Sequence, residues 1–205
     1  MNDGSTTAER KGFRLRPDEL AQSVRDGYIV RQNVFMAEEN DMLCQVAEDI
    51  VDGKRPFPSE HIAQNSLARN GEVERSGIYA MHKIHHPSCY CQEFLVRMRD
   101  LRLTSSLINL LGPDILGINN LFIWKAPEIG LGFPWHQDKY YFRRRFRTET
   151  TVGTWTAIDT ADQENGCLHV ISVATKAITK VISSNTMTSR VRNRRSSSWH
   201  EGFAT

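Results

Sequence analysis

This chain of 205 residues has few cysteines, a small net charge and no long apolar segment. Its 4 cysteines do not make the dense disulfide framework of a small secreted protein. The net charge of +2 excludes a strong overall attraction to nucleic acid or to a membrane surface. The first residues hold no apolar segment of the signal-peptide type, and no apolar run approaches the length of a membrane span. We therefore expect a cytoplasmic protein with reduced cysteines and no nucleic-acid partner.

The apolar content is sufficient for one folded domain. Hydrophobic residues make up 40% of the sequence and charged residues 24%, which are ordinary values for a globular protein. We predict a flexible N-terminus over residues 1–16, one domain over residues 17–176 and a divergent basic, Ser/Thr-rich tail over residues 177–205, which has no apolar period. The tail is therefore expected to be poorly ordered or incidental to the fold.

Helices are predicted mainly in the first half of the domain and strands in the second. Pro17 opens a helix that ends at Gly27, and residues 28–30 follow as a strand. Further helices are predicted over residues 40–52, 92–101 and 104–111, the last capped by Thr104. Strands are predicted over residues 118–124, 150–158 and, after the turn Asn165-Gly166, 167–171. This order predicts an α+β domain with its helices on one face of a mainly antiparallel sheet.

His136-Gln137-Asp138 is the most informative motif in the chain. On an extended backbone, residues two apart project from the same face, so one strand end would present His136 and Asp138 to a single metal ion. Imidazole and carboxylate are the ligand types of the 2-His-1-carboxylate triad of non-haem Fe(II) oxygenases. Taken alone, the triplet is better interpreted as a surface His near a turn Asp, because short motifs often match by chance.

The residues around the triplet carry much more information. They are Trp124-Lys125-Ala126-Pro127, Trp135 to Phe142, Gly153 to Asp159, and Glu164 to Ile171. In order, spacing and residue type they resemble the phytanoyl-CoA dioxygenase family of Fe(II)- and 2-oxoglutarate-dependent oxygenases. The resemblance spans residues 20–176 and is most specific over residues 135–171.

This resemblance implies a mainly β domain, a double-stranded β-helix or jelly roll with flanking N-terminal helices. It implies His136 and Asp138 as ligands of Fe(II). It also implies Trp155, Lys83 and Leu121 beside the co-substrate 2-oxoglutarate, with ascorbate as a stimulant. The implied reaction is the hydroxylation of a small organic or acyl substrate, acyl-CoA included. The sequence does not identify that substrate, because substrate-facing loops vary most within a fold.

The chain departs from the family pattern after Ile171. Where the family commonly has Pro-Gly-Ser-His-Lys, this chain has Ser172-Val173-Ala174-Thr175-Lys176. The family also has a distal His ligand and, after it, an Arg whose planar fork holds the far carboxylate of 2-oxoglutarate. The remaining downstream histidine, His200, has no Arg after it. We therefore predict an incomplete barrel without an identified third ligand, and a truncated, non-catalytic family member is the alternative function.

A second group of metal-ligand residue types precedes the triplet. It consists of His82, His85, His86, Cys89 and Cys91. A Cys-x-Cys spacing is not usual for zinc, and no paired motif lies elsewhere. A zinc-binding or nucleic-acid-binding module is therefore the weaker alternative, and these residues are expected to line a loop near the site.

Two further patterns have simple structural interpretations. The arginines of residues 143–147 would suit the phosphates of an acyl-CoA or of RNA, but a solvated loop is the simpler expectation. Cys167 and His169 alternate along a predicted strand and should face the same side, with His169 packed rather than bound to metal.

Overall fold

A computed structural model describes residues 12–142 and 150–171 and, for the backbone alone, residues 178–184. The helices are α1 (Pro17–Asp26), α2 (Ala37–Val51), α3 (Ser66–Arg69), α4 (Gln92–Arg99), α5 (Leu101–Leu111) and α6 (Asp138–Phe142). The strands are β1 (Tyr28–Gln32), β2 (Ile62–Gln64), β3 (Met81–His85), β4 (Leu121–Ile123), β5 (Thr151–Thr156) and β6 (Ile178–Ser184). In this part of the chain, no helix is both long and apolar enough to span a membrane.

The first helices begin and end where local chemistry places their boundaries. The Arg16 backbone N–H donates to the Glu19 carboxylate at the start of α1, over 2.8 Å. Gly27 ends α1 in the left-handed region with φ 78°, which glycine adopts without steric cost. At the start of α2, the Met36 N–H donates to the Glu39 carboxylate over 2.7 Å. The predictions for both helices are confirmed, with α2 beginning three residues earlier than expected, at Ala37 rather than Asn40.

An antiparallel sheet of order β2-β3-β4 packs on α2 and α4. Its register pairs Ile84 of β3 with Phe122 of β4, and both side chains are buried. The core they join comprises Leu43, Val46, Ala47, Ile50, Ile84, Cys91, Phe94 and Phe122. Because side chains alternate along a strand, the flanking pairs Lys83–Ile123 and His85–Leu121 project from the opposite face of the sheet.

A second sheet is parallel and has the order β1-β6-β5. The prediction of a mainly antiparallel sheet therefore holds for the first sheet and fails for the second, because β6 lies between β1 and β5 and runs parallel to both. β6 also lies in the segment predicted to lack structure. That segment includes Ile178, Thr179, Val181 and Ile182, whose β-branched side chains favour a strand. The two sheets do not close into a barrel within the described residues, so the double-stranded β-helix stays a prediction.

Two local predictions are also wrong. Helix α5 begins at Leu101, with the Asp100 carboxylate accepting from the Arg102 N–H over 2.8 Å. Asp100 rather than Thr104 is therefore the cap, because its side chain reaches a free N–H of the first turn. The turn at residues 163–166 is present with Gly166 at φ 90°. Residues 167–171 that follow it form no strand, because no neighbouring strand pairs with them in the part of the chain that is described.

Arg31 of β1 joins several elements through one partly buried guanidinium. It contacts the Glu19 carboxylate of α1 at 2.6 Å. It also donates to the Phe13 and Arg14 carbonyls and to the Ser106 hydroxyl of α5, each over 2.9 Å. Burial raises the pKa of Glu19, but hydrogen bonds from Arg31 and Arg16 outweigh it and leave that pKa below its ordinary value. A partly buried charge with this many partners fixes α1 and α5 against β1.

Arg102 makes a comparable link between α5 and α2. Its guanidinium hydrogen-bonds the Glu39 carboxylate at the start of α2 and contacts Asp100 at 2.6 Å. It also stacks over the Phe35 ring at 4.5 Å, while Arg97 covers the same ring at 3.7 Å. The hydrogen bond from Arg102 lowers the pKa of Glu39 from 4.5 to about 2.

The register of β3 and β4 predicts that two isoleucines in the same sheet contribute very differently to the free energy of unfolding. Ile84 is 0% exposed and Ile123 is 37% exposed. We expect Ile84→Ala to lower the free energy of unfolding by about 2–5 kcal/mol, because it leaves a cavity in the core. Ile123→Ala should cost about 1 kcal/mol or less. Chemical denaturation of both variants measures the difference, and equal losses would show that the two faces of the sheet are not distinct.

Acid should weaken the fold through Glu39. A carboxyl whose pKa is lowered on folding contributes stability above its ordinary value of 4.5, and this is lost as the pH falls toward 2. We expect Glu39→Gln, which cannot titrate, to show a shallower loss of stability over that interval than the unaltered protein. Denaturation curves at a series of pH values test this. The exposed Glu60 provides the control, since Glu60→Gln should keep the original slope; an unchanged slope in Glu39→Gln would contradict the assignment.

Candidate metal site

The loop between β4 and α6 carries the His136-Gln137-Asp138 motif and is held at its start and in its middle. At its start, the Trp124 N–H donates to the His82 carbonyl over 2.9 Å. In its middle, the amide of Asn65, a residue 1% exposed, donates to the Ile129 carbonyl over 2.6 Å. A buried amide of this kind holds the backbone in one position, because breaking the bond would leave a polar group unpaired. The motif therefore lies in a loop whose earlier part is anchored to the core by these hydrogen bonds.

The ring of His136 is oriented by its own loop. Its Nδ1 lies 2.7 Å from the Pro134 carbonyl oxygen. A carbonyl oxygen only accepts, so Nδ1 carries the hydrogen and donates it. In the neutral imidazole, Nε2 then has its lone pair free. That Nε2 lies 3.3 Å from Oδ1 of Asp138.

The contact between His136 and Asp138 joins two electron-pair donors. Nε2 of a neutral His136 and a carboxylate oxygen repel unless a proton or a cation lies between them. Two ligand atoms about 2.1 Å from one metal ion and at right angles would lie about 3 Å apart, close to the spacing seen here. An imidazole nitrogen and a carboxylate oxygen are also the donors that Fe(II) accepts. The pair thus fits a divalent metal ion in both spacing and donor type.

The backbone brings the pair together differently from the expected extended strand. Asp138 is the first residue of the short helix α6, so the expectation of a strand end is wrong. An acidic residue in the first turn favours a helix start, because it interacts with free backbone N–H groups. The Gln137 carbonyl accepts from the Tyr140 N–H over 2.9 Å and closes this turn. The side chains of His136 and Asp138 lie on the same side because of the turn that begins the helix, and not because side chains alternate along a strand.

An open pocket of about 390 Å³ adjoins the pair. It is lined by Trp135, His136, Gln137, Tyr140 and Tyr141. The rings of His136 and Tyr141 meet edge to face, with centroids 5.9 Å apart. Next to the metal-ligand pair, the surface is therefore aromatic, with the Gln137 amide and the tyrosine hydroxyls as polar groups.

Lys83 and Leu121 lie on the same exposed face of the antiparallel sheet. The Lys83 ammonium is 5.9 Å from the centre of the Phe133 ring, which lies three residues before His136. Trp155, the third residue expected beside 2-oxoglutarate, is half-buried on β5 in the parallel sheet. The fold therefore brings Lys83 toward the loop of the metal pair and leaves Trp155 in a different sheet.

His82, one of the residues expected to line a loop near the site, contacts this loop. Its ring stacks on Phe133 with centroids 5.2 Å apart and an interplanar angle of 24°. Burial, then the charge of Lys83 and the presence of His85, lower the pKa of His82. No periodicity relates residue 82 to residue 133, so only the tertiary contact reveals the link.

The second group of histidines and cysteines does not converge on a metal. Cys91 is buried in the core, and burial raises the pKa of its thiol. His61, which sequence reasoning did not include, hydrogen-bonds the Tyr90 hydroxyl over 3.1 Å, and its ring packs 5.8 Å from that of His86. Within the described ranges, no three His, Cys, Asp or Glu side chains are placed to hold a metal ion. A third ligand for the His136–Asp138 pair is therefore not identified there, and His200 and the arginines of residues 143–147 lie outside those ranges.

Comparison with known proteins places this chain in a family. The family model of phytanoyl-CoA dioxygenase (PhyH) matches residues 23–173. The chain belongs to the phytanoyl-CoA dioxygenase family. This confirms the resemblance inferred from the residues around His136. No solved structure matches the chain significantly.

Individual relatives share the family name but are distant. A phytanoyl-CoA dioxygenase domain-containing protein 1 homolog of Caenorhabditis elegans is 26% identical over 175 residues, which are 72% of this chain and 60% of that protein. The peroxisomal phytanoyl-CoA dioxygenase of Mus musculus is 38% identical over 63 residues, 29% of this chain and 18% of the mouse protein. The chain thus spans less than two thirds of the length of these family members.

Proposed function

We propose that this chain is an Fe(II)- and 2-oxoglutarate-dependent dioxygenase that hydroxylates a small organic or acyl substrate. The observation that carries the proposal is the contact of His136 Nε2 with Asp138 Oδ1 at 3.3 Å, in a chain matched by the phytanoyl-CoA dioxygenase family model. Membership in the family supports the proposed type of reaction. The contact between His136 and Asp138 supports the proposed position of the metal.

In the proposed site, His136 and Asp138 would hold the metal, and the third protein ligand is left open. The Pro134 carbonyl keeps the hydrogen on Nδ1 of His136, so Nε2 remains available as the ligand atom. When bound, Fe(II) with 2-oxoglutarate would supply the activation of O₂ for oxidation of the substrate. The protein groups position the reactants and limit the access of water.

Lys83 is the proposed partner of a 2-oxoglutarate carboxylate. Its ammonium is a compact positive charge suited to that anion, and its contact with Phe133 places it beside the loop that carries His136. Leu121, 38% exposed on the same face, would pack against the carbon chain of the co-substrate. Trp155 is proposed as a further contact of the co-substrate on the strength of the family resemblance.

The aromatic pocket is the proposed entry for the substrate. Trp135, Tyr140 and Tyr141 are 60–64% exposed and would be covered by an apolar group seated next to the metal pair. Covering such rings removes apolar surface from water, which favours binding. An acyl chain, including that of an acyl-CoA, is compatible with this lining.

Metal binding should depend on the two motif residues. Co(II) is a suitable probe, because its visible absorption reports nitrogen and oxygen coordination directly. We expect His136→Ala and Asp138→Asn each to weaken Co(II) binding by about tenfold or more. His61→Ala provides the matched control, because His61 pairs with Tyr90 away from the motif. Titration followed by absorption measures the affinities, and equal affinity in His136→Ala and His61→Ala would refute the assigned ligands.

Turnover should depend on the co-substrate lysine. With Fe(II), ascorbate, 2-oxoglutarate and a panel of acyl and other small substrates, we expect succinate to form in the unaltered protein. Lys83→Met should raise KM for 2-oxoglutarate by about tenfold, because an ion pair with the co-substrate is lost. Lys54→Met, at a 61% exposed surface lysine, should leave KM unchanged.

Two results would contradict the proposal at different points. Tight Co(II) binding without any succinate would retain the metal site and reject the oxygenase activity. Succinate formation with an unchanged KM in Lys83→Met would retain the activity and reject the role given to Lys83.

A further inference from the structure

A thiol and an imidazole meet just after the turn at residues 163–166. The Cys167 sulfur lies 3.8 Å from Nε2 of His169. The expectation that these side chains face the same side is confirmed, although the backbone there is not a strand. His169 is exposed, so the expectation that it is packed is wrong. Cys167 is partly exposed, so small molecules in solvent reach the pair. A nucleophile within hydrogen-bond reach of a base is the basic arrangement for thiol chemistry.

An ammonium group is fixed beside the same thiol. The Lys125 side chain donates a hydrogen bond to the Gly166 carbonyl, which directly precedes Cys167. Burial lowers the pKa of Lys125, and the interaction with Cys167 acts in the opposite direction. A positive charge next to a thiol attracts the negative sulfur that forms when the proton leaves. Two groups of different chemistry, the His169 base and the Lys125 cation, thus lie beside the Cys167 sulfur.

The other cysteines provide contrasting environments in the same molecule. Burial, followed by the charges of Asp159, Glu48 and Asp41, raises the pKa of Cys44 to about 12. Cys91 is buried in the core. Cys89 is exposed and therefore serves as an internal reference for a thiol that solvent reaches. If exposure alone decided reactivity, Cys89 would react faster than Cys167.

We propose that Cys167, with His169 as its proton acceptor, is a site of oxidation by small hydroperoxides. Nε2 of His169 takes the thiol proton, and the sulfur attacks one peroxide oxygen. The S–O bond forms, the O–O bond breaks, and the departing oxygen takes the bonding pair and the proton from His169. Sulfur loses two electrons to give a sulfenic acid, while hydrogen peroxide is reduced to water. Lys125 stabilises the negative sulfur before the attack.

This site is distinct in chemistry from the proposed metal site and does not depend on it. The experiment therefore uses the full chain in the presence of a chelator, which also prevents peroxide reactions at iron. Hydrogen peroxide is the oxidant, dimedone traps the sulfenic acid, and mass spectrometry quantifies the product at each cysteine. The ratio of trapped Cys167 to trapped Cys89 in one sample is the readout, because both residues experience the same conditions.

We expect Cys167 to be trapped about tenfold faster than Cys89 at neutral pH. His169→Gln should reduce the Cys167 rate about tenfold without changing the Cys89 rate. Lys125→Gln, which keeps a donor for the Gly166 carbonyl but removes the charge, should cause a smaller reduction. Trapping of Cys89 at an equal or higher rate would overturn the proposal, as would an unchanged ratio in His169→Gln. If His169→Gln also changes the Cys89 rate, that variant has a disturbed fold and His169→Asn takes its place. His169→Asn must then reduce the Cys167 rate without changing the Cys89 rate, and any other result overturns the proposal.

Discussion

The buried pair of Ile84 and Phe122 is the constraint on which the placement of the candidate site depends. These two residues face each other across β3 and β4 and pack on α2 and α4. Since a strand alternates its side chains, fixing Ile84 inward forces Lys83 outward, and fixing Phe122 inward does the same for Leu121. A shift of one residue in this register would exchange the two faces. The hydrophobic core therefore decides which residues are available to the proposed co-substrate.

The same core positions the loop that carries the motif. Trp124 packs against the core at the end of β4, and the buried Asn65 amide holds Ile129 further along. Phe133 then contacts both His82 and Lys83 of β3. These contacts relate His136 to Lys83, although 53 positions separate them in the sequence. Apolar packing of Trp124, the hydrogen bond from Asn65 and the ring contacts of Phe133 thus act together to assemble the proposed site.

Local chemistry made part of this structure predictable. Pro17 and Gly27 mark the limits of α1, and the apolar spacing of Leu43, Val46 and Ile50 marks the buried face of α2. Other features depended on distant partners. The parallel pairing of β6 with β1 and β5 joins segments far apart in the chain, and no periodicity encodes that choice. The cap of α5 was missed because Asp100 and Thr104 are both suitable residue types, and only the geometry selects Asp100.

The sequence by itself determined the family and the identity of the motif, because His136, Asp138 and their neighbours form a pattern that needs no coordinates to be seen. It also determined that Cys167 and His169 lie close, since residues two apart are near in most backbones. The tertiary structure alone decided that Lys83 adjoins the motif loop, that Trp155 lies in another sheet, and that Lys125 reaches the turn before Cys167. The physical reason is that these contacts depend on strand register and loop anchoring, which arise from burial across the whole core rather than from any local sequence preference.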